Sequence, residues 1–168
     1  NEGPIDKINE IEYINGKIYA NIYTTNKIIV IEPLNGKILS IDIKNMEPIK
    51  NVEFLESNIL DENTYDKVID HFNCKLDVII SDMAADTTGN KSLDSIRTNQ
   101  LCADAINFAK KTLKPKGVFV SKLFMGEDFL EVKNLAKSIF KNVNFFKPES
   151  SRRESKETYL HCETLKSL

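Results

Sequence analysis

The run Leu76-Asp77-Val78-Ile79-Ile80-Ser81, followed at once by Asp82-Met83-Ala84, constrains this chain more than any other stretch. A short apolar, β-branched segment is the pattern of a strand buried on both faces, as in parallel sheets covered by helices. Open parallel sheets bind ligands beyond the carboxyl ends of their strands. Asp82 stands where the buried run stops and is therefore a candidate site residue. The alternative is a solvated strand-end acid that caps the following turn.

The sequence around this run alternates strand and helix patterns, which predicts an α/β fold with a parallel sheet and helices on its faces. Val52–Leu55 reads as a short strand, and Asn63–Phe72 places Tyr65, Val68, Ile69 and Phe72 at helical spacing. Asn99–Leu113 carries a wide apolar helical face through Leu101, Cys102, Ala105, Ile106, Phe108 and Ala109, closed by Lys114-Pro115-Lys116-Gly117. Val118–Phe124 is a second buried strand, and Asp128–Phe140 a further amphipathic helix. Val143–Phe146 and Thr158–His161 read as two closing strands around a polar, basic loop.

The first 43 residues differ. Ile11–Ile14, Lys17–Tyr23, Lys27–Ile31 and Lys37–Ile43 are short β-rich runs, with Asn15-Gly16 and Asn35-Gly36 between them. Asn-Gly favours hairpin turns because both positions accept positive φ. Asn15-Gly16-Lys17-Ile18 and Asn35-Gly36-Lys37-Ile38 repeat at matching places, the spacing of an antiparallel meander such as a propeller blade.

A chain of 168 residues, 41% hydrophobic and 29% charged, has the composition of one soluble globular domain rather than a disordered or membrane protein. No apolar run approaches the roughly 18 residues of a membrane span, no signal peptide is visible, and the reading is cytoplasmic. Cys74, Cys102 and Cys162 are odd in number and widely spaced, as reduced thiols are. A net charge of −2 gives no bulk drive toward nucleic acid, so any RNA contact is local.

Lys122 interrupts Val118-Phe119-Val120-Ser121-Lys122-Leu123-Phe124. Burying an ammonium is costly unless a carboxylate pairs with it, and burial favours the neutral amine that a base requires. The plainer reading is a lysine that snorkels to water. Two neighbouring parallel strands would bring Asp82 and Lys122 to one edge, which makes an Asp–Lys pair geometrically reasonable. Asp42 ends another β run and stands where an acid often holds ribose hydroxyls. Between Lys147 and Glu157, serines alternate with Arg152, Arg153 and Lys156, a composition suited to phosphate contacts or simply to a solvated loop. Glu157, at the mouth of the last strand, could complete a charged cluster with Lys122. His71 and His161 lack metal-ligand spacing.

From about Lys37 to the end, the order of these motifs resembles the FtsJ/RrmJ family of ribosomal RNA ribose 2′-O-methyltransferases. The resemblance is carried by Ser40-Ile41-Asp42-Ile43 with Met46-Glu47-Pro48-Ile49, and by Ser81-Asp82-Met83-Ala84. It continues through Lys114-Pro115-Lys116-Gly117 up to Lys122-Leu123-Phe124-Met125-Gly126-Glu127. It ends on Lys147-Pro148-Glu149-Ser150-Ser151-Arg152 and Ser155-Lys156-Glu157-Thr158-Tyr159. The resemblance implies a Rossmann-like methyltransferase sheet and S-adenosylmethionine as cofactor, with no metal. It implies large-subunit ribosomal RNA as partner, no membrane association, and a monomer. Three members of the family's catalytic lysine–aspartate–lysine–glutamate set map onto Asp82, Lys122 and Glu157. Asp42 corresponds to the acid near the cofactor ribose, Asn58 falls where the family usually has an acid near the adenine, and Asp82 also borders the cofactor.

The chain departs from that pattern in three places. No glycine-rich motif precedes Asp42, the first catalytic lysine has no counterpart, and Ala85-Asp86 stands where the family usually has Pro-Asn. Residues 1–36 instead resemble part of a glutamine cyclotransferase β-propeller, through Ile8-Asn9-Glu10-Ile11-Glu12-Tyr13-Ile14-Asn15-Gly16-Lys17-Ile18-Tyr19. The expected organisation is a blade-like meander over 1–36 and an incomplete methyltransferase domain over 37–168, with weak cofactor binding. Two other classes stay open: an inactive RNA-binding remnant that uses the basic loop, and a cyclotransferase fragment.

Overall fold

The computed structural model describes residues 8–14, 17–22, 28–32, 36–49, 51–126, 128–147 and 155–167. Nine strands and three helices follow one another along these residues. They are β1 (Ile8–Ile14), β2 (Lys17–Ile22), β3 (Ile28–Glu32), β4 (Lys37–Asp42), β5 (Glu53–Glu56), α1 (Glu62–Phe72), β6 (Leu76–Ser81), α2 (Lys91–Thr112), β7 (Leu113–Phe124), α3 (Phe129–Ile139), β8 (Phe140–Phe146) and β9 (Glu157–Leu165). β1 and β2 form a two-stranded antiparallel sheet. The other seven strands form one sheet in the order β5-β4-β3-β6-β7-β9-β8.

Strand direction is what positions the site. β4 is parallel to β5, β6 is parallel to β7, and β3 runs antiparallel to both β4 and β6. The carboxyl ends of β4, β5, β6 and β7 therefore lie along one edge. β9 is antiparallel to β7, so its first residues return to that same edge.

The strand interiors account for the core. Leu39, Ile41, Ile79, Phe119, Leu123, Leu160 and Cys162 project from one face onto Val68 and Phe72 of α1, Cys102, Ala105, Ile106 and Ala109 of α2, and Val132, Ala136 and Ile139 of α3. The opposite face carries a smaller cluster of Val78, Ile80, Val118 and Val120, flanked by Ile38, Ile49 and Tyr159. Helices were expected on both faces; among the described residues all three helices pack on one. The reason is connectivity. β3 and β4 are adjacent antiparallel strands whose pairing runs to Glu32 opposite Lys37, with Gly36 at φ 66° just before β4, and residues 43–49 between β4 and β5 are not helical. A hairpin leaves no crossover in which to carry a helix.

The expected meander also divides. The two Asn-Gly signals do sit between paired antiparallel strands, β1–β2 and β3–β4, although Asn15, Gly16 and Asn35 lie outside the described residues. β3 does not extend the β1–β2 sheet; it enters the seven-stranded sheet between β4 and β6.

The boundary between α2 and β7 depends on one close approach. A Cβ on Gly117 would meet Leu113 Cδ2 at 2.9 Å and the carbonyl oxygens of Lys114 and Asp77 at 3.0 and 3.2 Å. Beside it, Lys114 Nζ donates to Asp77 Oδ2 at 2.6 Å, which ties the start of β7 to β6.

Candidate functional site

Five strands, β4, β5, β6, β7 and β9, bring a polar side chain to or just beyond the shared edge. β6 and β7 pair with Ser81 opposite Ser121, so the next residues, Asp82 and Lys122, come level with one another. Lys122 Nζ lies 2.9 Å from Asp82 Oδ1, and both side chains are largely buried. Burial raises the Asp82 carboxyl above its ordinary value; the Lys122 ammonium opposes that shift, and the Glu157 carboxylate adds to it. The pair is the Asp–Lys juxtaposition expected from the sequence.

Glu157 opens β9 opposite Phe124, and Tyr159 lies opposite Lys122. Side chains two apart on a strand share a face, so Lys122, Glu157 and Tyr159 all project from the helix-free side. Tyr159 donates its hydroxyl to Glu157 Oε1 at 3.1 Å, which fixes the carboxylate. The Glu157 amide donates to Ser155 Oγ at 3.2 Å, and the Met125 amide donates to the Lys156 carbonyl at 2.8 Å. The exposed Lys156 thus sits at the same edge; Arg152 and Arg153 lie outside the described residues.

Asp42 closes β4 with Oδ1 accepting from the Lys44 amide at 2.9 Å, while its carbonyl accepts from the Ser57 amide at 3.0 Å. Asn58, just beyond β5, accepts from the Leu60 amide at 3.0 Å. Because Asp42 and Glu56 are register partners, Asp42 and Asn58 are neighbours on the edge. Lys44 in turn lies 3.6 Å from Asp86 in an exposed ion pair that spans from the β4 end to the loop after β6.

That loop is pinned to α2. The Ala85 amide donates to Thr98 Oγ1 at 3.2 Å, Arg97 Nη1 donates to the Asp86 carbonyl at 3.3 Å, and Thr88 donates through its amide and hydroxyl to Asp94 Oδ1 at 2.8 and 2.7 Å. Those Thr88 hydrogen bonds hold the Asp94 carboxyl below its ordinary range. Asn90 caps α2 by accepting from the Ser92 and Leu93 amides.

Asn99 is the residue that sequence reasoning missed. It is fully buried, donates from Nδ2 to the Phe124 carbonyl at 2.9 Å, and accepts from the Phe124 amide at 2.7 Å. The same Nδ2 donates to Asp128 Oδ1 at 3.1 Å. Two residues beyond Lys122, the end of β7 is thereby clamped to α2. The readable signal was the spacing of Ser95, Thr98 and Asn99, a helical stripe whose buried members are polar.

Other sequence candidates take structural places. His71 Nδ1 is 3.5 Å from Glu53 Oε2, and His161 Nε2 is 3.8 Å from Glu163 Oε1. Cys102 and Cys162 are buried free thiols; burial pushes Cys102 up to about 12 and Cys162 higher still. Among the described residues, no group of His, Cys, Asp and Glu is arranged to hold a metal ion, and no helix is long and apolar enough to cross a membrane.

The seven-stranded mixed sheet with its helices has the α/β fold of the methyltransferase class, and one edge of that sheet carries Asp42, Asn58, Asp82, Lys122 and Glu157. The sequence pattern of the FtsJ-like methyltransferases matches residues 22–165, and the chain belongs to that family. It is 44% identical over 132 residues to the ribosomal RNA large subunit methyltransferase E of Pelagibacter ubique (strain HTCC1062), covering 79% of this chain and 65% of that one. It is 50% identical over 127 residues to the protein of that name from Rickettsia akari (strain Hartford), covering 76% of this chain and 56% of that one. The chain thus spans less than two thirds of the length of these curated relatives. A crystal structure of a ribosomal RNA methyltransferase from Plasmodium falciparum superposes with a TM-score of 0.66 at 29% identity, covering 77% of this chain and 72% of that one. The family match begins at residue 22 and takes in β3, and the likeness of residues 1–36 to a glutamine cyclotransferase propeller is not supported.

The edge fits the family's cofactor, S-adenosylmethionine, in part. Asp42 and Asn58, at the ends of the paired strands β4 and β5, are the oxygen- and amide-bearing residues that would hold an adenosine end. A glycine-rich turn leading from a strand into a helix, which would hold the methionine end through backbone amides, is not found among the described residues. β3 explains this: with Ile28 paired to both Ile41 and Ser81, it is the start of the strand, not its end, that lies at the edge.

Proposed function

We propose that the chain carries the acceptor-activating half of a ribosomal RNA ribose 2′-O-methyltransferase acting on the large subunit. The observation that supports this most is the buried pair of Lys122 and Asp82 at 2.9 Å, with Glu157 at the same strand edge. A ribose 2′-hydroxyl is a weak nucleophile and must be held in line with the methyl group and relieved of its proton. Lys122 would hold the hydroxyl and accept or position its proton as the oxygen takes the methyl group, the new C–O bond forming while the methyl–sulfur bond breaks and the cofactor leaves as the neutral thioether. Asp82 orients Lys122 from β6, and Glu157, itself fixed by Tyr159, borders it from β9. S-adenosylmethionine supplies a methyl group already activated by its positive sulfonium. Asp42 and Asn58 are its proposed contacts on the adenosine side, with Asp82 between the two halves. Arg152, Arg153 and Lys156 are the proposed phosphate contacts to RNA.

The test is transfer of labelled methyl from S-adenosylmethionine to large-subunit ribosomal RNA by this chain, compared with Lys122→Ala. The expected result is transfer that the substitution abolishes while circular dichroism is unchanged. Equal turnover by the variant removes Lys122 from its role. RNA binding that weakens with salt and on Arg152→Ala, without any transfer, favours a second reading as an RNA-binding remnant; the partial cofactor edge is what supports it.

A further inference from the structure

Four side chains form one row across the helix-free face. Asp82 is level with Lys122, Lys122 pairs with Tyr159, and Tyr159 pairs with Phe146 on β8. The row starts in a buried ion pair and ends in an exposed aromatic ring. Phe146 is 38% exposed and is the one aromatic among the large hydrophobic residues exposed in the described part of the chain. Its ring stacks on Tyr159 with centroids 5.5 Å apart and planes inclined by 22°. Tyr159 is not loose beneath it: its ring packs on the Val78, Ile80, Val118 and Val120 cluster, and its hydroxyl is bound to Glu157.

We propose that Phe146, backed by Tyr159, is a stacking platform for a nucleobase of single-stranded RNA. The proposal rests on the reading of the site as a ribose methyltransferase and deepens it. β7 and β8 are separated by β9, so the row from Lys122 to Phe146 spans two strand spacings, about 10 Å, the scale of a nucleoside. A ribose held at Lys122 places its base, or the base next to it, along the row toward Phe146. RNA recognition uses unstacked bases laid on aromatic rings, and such a ring serves any base because every base has a π face. Lys147, which follows Phe146 directly, donates from Nζ to the Ser155 carbonyl at 2.6 Å and so keeps its charge beside the platform, where RNA phosphates would pass. The plainer role, a cross-strand aromatic pair that stabilises the sheet, needs the contact with Tyr159 but not an open ring face.

Phe146→Leu separates the two roles, because leucine keeps an apolar contact on Tyr159 and removes the flat face. The full chain and this variant are titrated against a fluorescently labelled, mixed-sequence ribo-oligonucleotide and against the same oligonucleotide with abasic sites. The expected result is that the wild type binds the base-bearing strand at least about fivefold more tightly than the abasic strand. The variant loses that preference, while its affinity for the abasic strand and its thermal unfolding stay the same. A variant that keeps the preference overturns the proposal, as does a wild type with none or with no affinity for RNA. Methyl transfer, scored separately, keeps the two readings apart. Transfer by a wild type that shows no base preference leaves the catalytic reading standing without the platform. A base preference lost in Phe146→Leu, with no transfer, leaves the platform standing without the catalysis.

Discussion

Asn99 and Phe124 are joined by two hydrogen bonds in which a side-chain amide does what a neighbouring strand would do: it donates to the Phe124 carbonyl and accepts from the Phe124 amide. β7 thereby keeps a fixed end just past Lys122, where the amides of Phe124 and Met125 are held by Asn99 and by the Lys156 carbonyl. Asn99→Ala leaves both polar groups of the Phe124 peptide on that side unpaired. Buried groups left in this way cost about 1–3 kcal/mol each, so the variant is expected to lose about 2–6 kcal/mol. The measurement is the urea midpoint with its slope unchanged; a loss below about 0.5 kcal/mol, the size of an ordinary surface substitution, excludes the clamp.

Asp82 and Lys122 make a prediction about pH. Because burial raises the Asp82 carboxyl, the folded chain binds that proton more tightly than the unfolded chain does. The contribution of Asp82 to stability is therefore full below its ordinary value of 3.8 and is lost as the pH rises through the raised value. Asp82→Asn has no such proton to lose. Wild type should fall in stability relative to Asp82→Asn as the pH rises above 3.8, read as the difference between their denaturant midpoints. A difference that moves the other way means that the attraction of Lys122 outweighs burial.

What the sequence made legible, and what it did not, follows from the periodicities themselves. Leu76–Ser81 was readable to the residue because an unbroken β-branched run has few alternatives, and Asp82 and Lys122 stood out as charges at the ends of such runs. The start of α2 was not readable: the expected helix begins at Asn99, whereas the helix begins at Lys91. Its first turns bury Ser95, Thr98 and Asn99 against a loop and a strand end, so the inward stripe there is polar and carries no apolar period. The Asn35-Gly36 signal did predict β3 antiparallel to β4; what stayed hidden was its place in the sheet, because nothing local in Ile28–Glu32 shows that its other edge pairs with β6 rather than with β2. From that antiparallel placement follow both the absence of a crossover helix between β3 and β4 and the partial cofactor edge. Phe146 escaped for a related reason: in Phe145-Phe146 both residues are apolar, and only the register with β9 shows that Phe146 faces Tyr159 while Phe145 packs against Phe129.

Gly117 tests how tightly the base of the sheet is built. Its missing side chain makes room for two backbone carbonyls and the tip of Leu113. The leucine tip can turn aside, but the Lys114 and Asp77 carbonyls belong to β7 and β6, which the Lys114–Asp77 pair holds together. Gly117→Ala is expected to cost about 1–3 kcal/mol, the range for an added methyl in a packed site. The check is the thermal midpoint of this variant alongside Gly89→Ala, whose site has open space around the added carbon and is strained only by its φ of 86°. If Gly117→Ala unfolds at the wild-type temperature, the strands have room to separate and the close approach does not constrain them.

The last expectation concerns the cofactor edge, where the two ends of S-adenosylmethionine should behave differently. Asp42 and Asn58, at the ends of the paired strands β4 and β5, are the polar partners proposed for the adenosine moiety. A methionine moiety needs a cluster of backbone amides at a helix N-terminus, and between β4 and β6 the start of β3 stands instead. Calorimetry of the full chain should therefore give weak binding of S-adenosylmethionine, with a dissociation constant near the millimolar range, about −4 kcal/mol. Adenosine alone should bind within about threefold of the whole cofactor, because the amino-acid end adds no held contact. Asp42→Ala should weaken both ligands alike, by the roughly 1–3 kcal/mol that separates a satisfied from an unsatisfied polar group. A micromolar constant for S-adenosylmethionine, with adenosine much weaker, would mean that another part of the chain supplies the missing amides, and the reversed strand would then be no obstacle to a complete cofactor site.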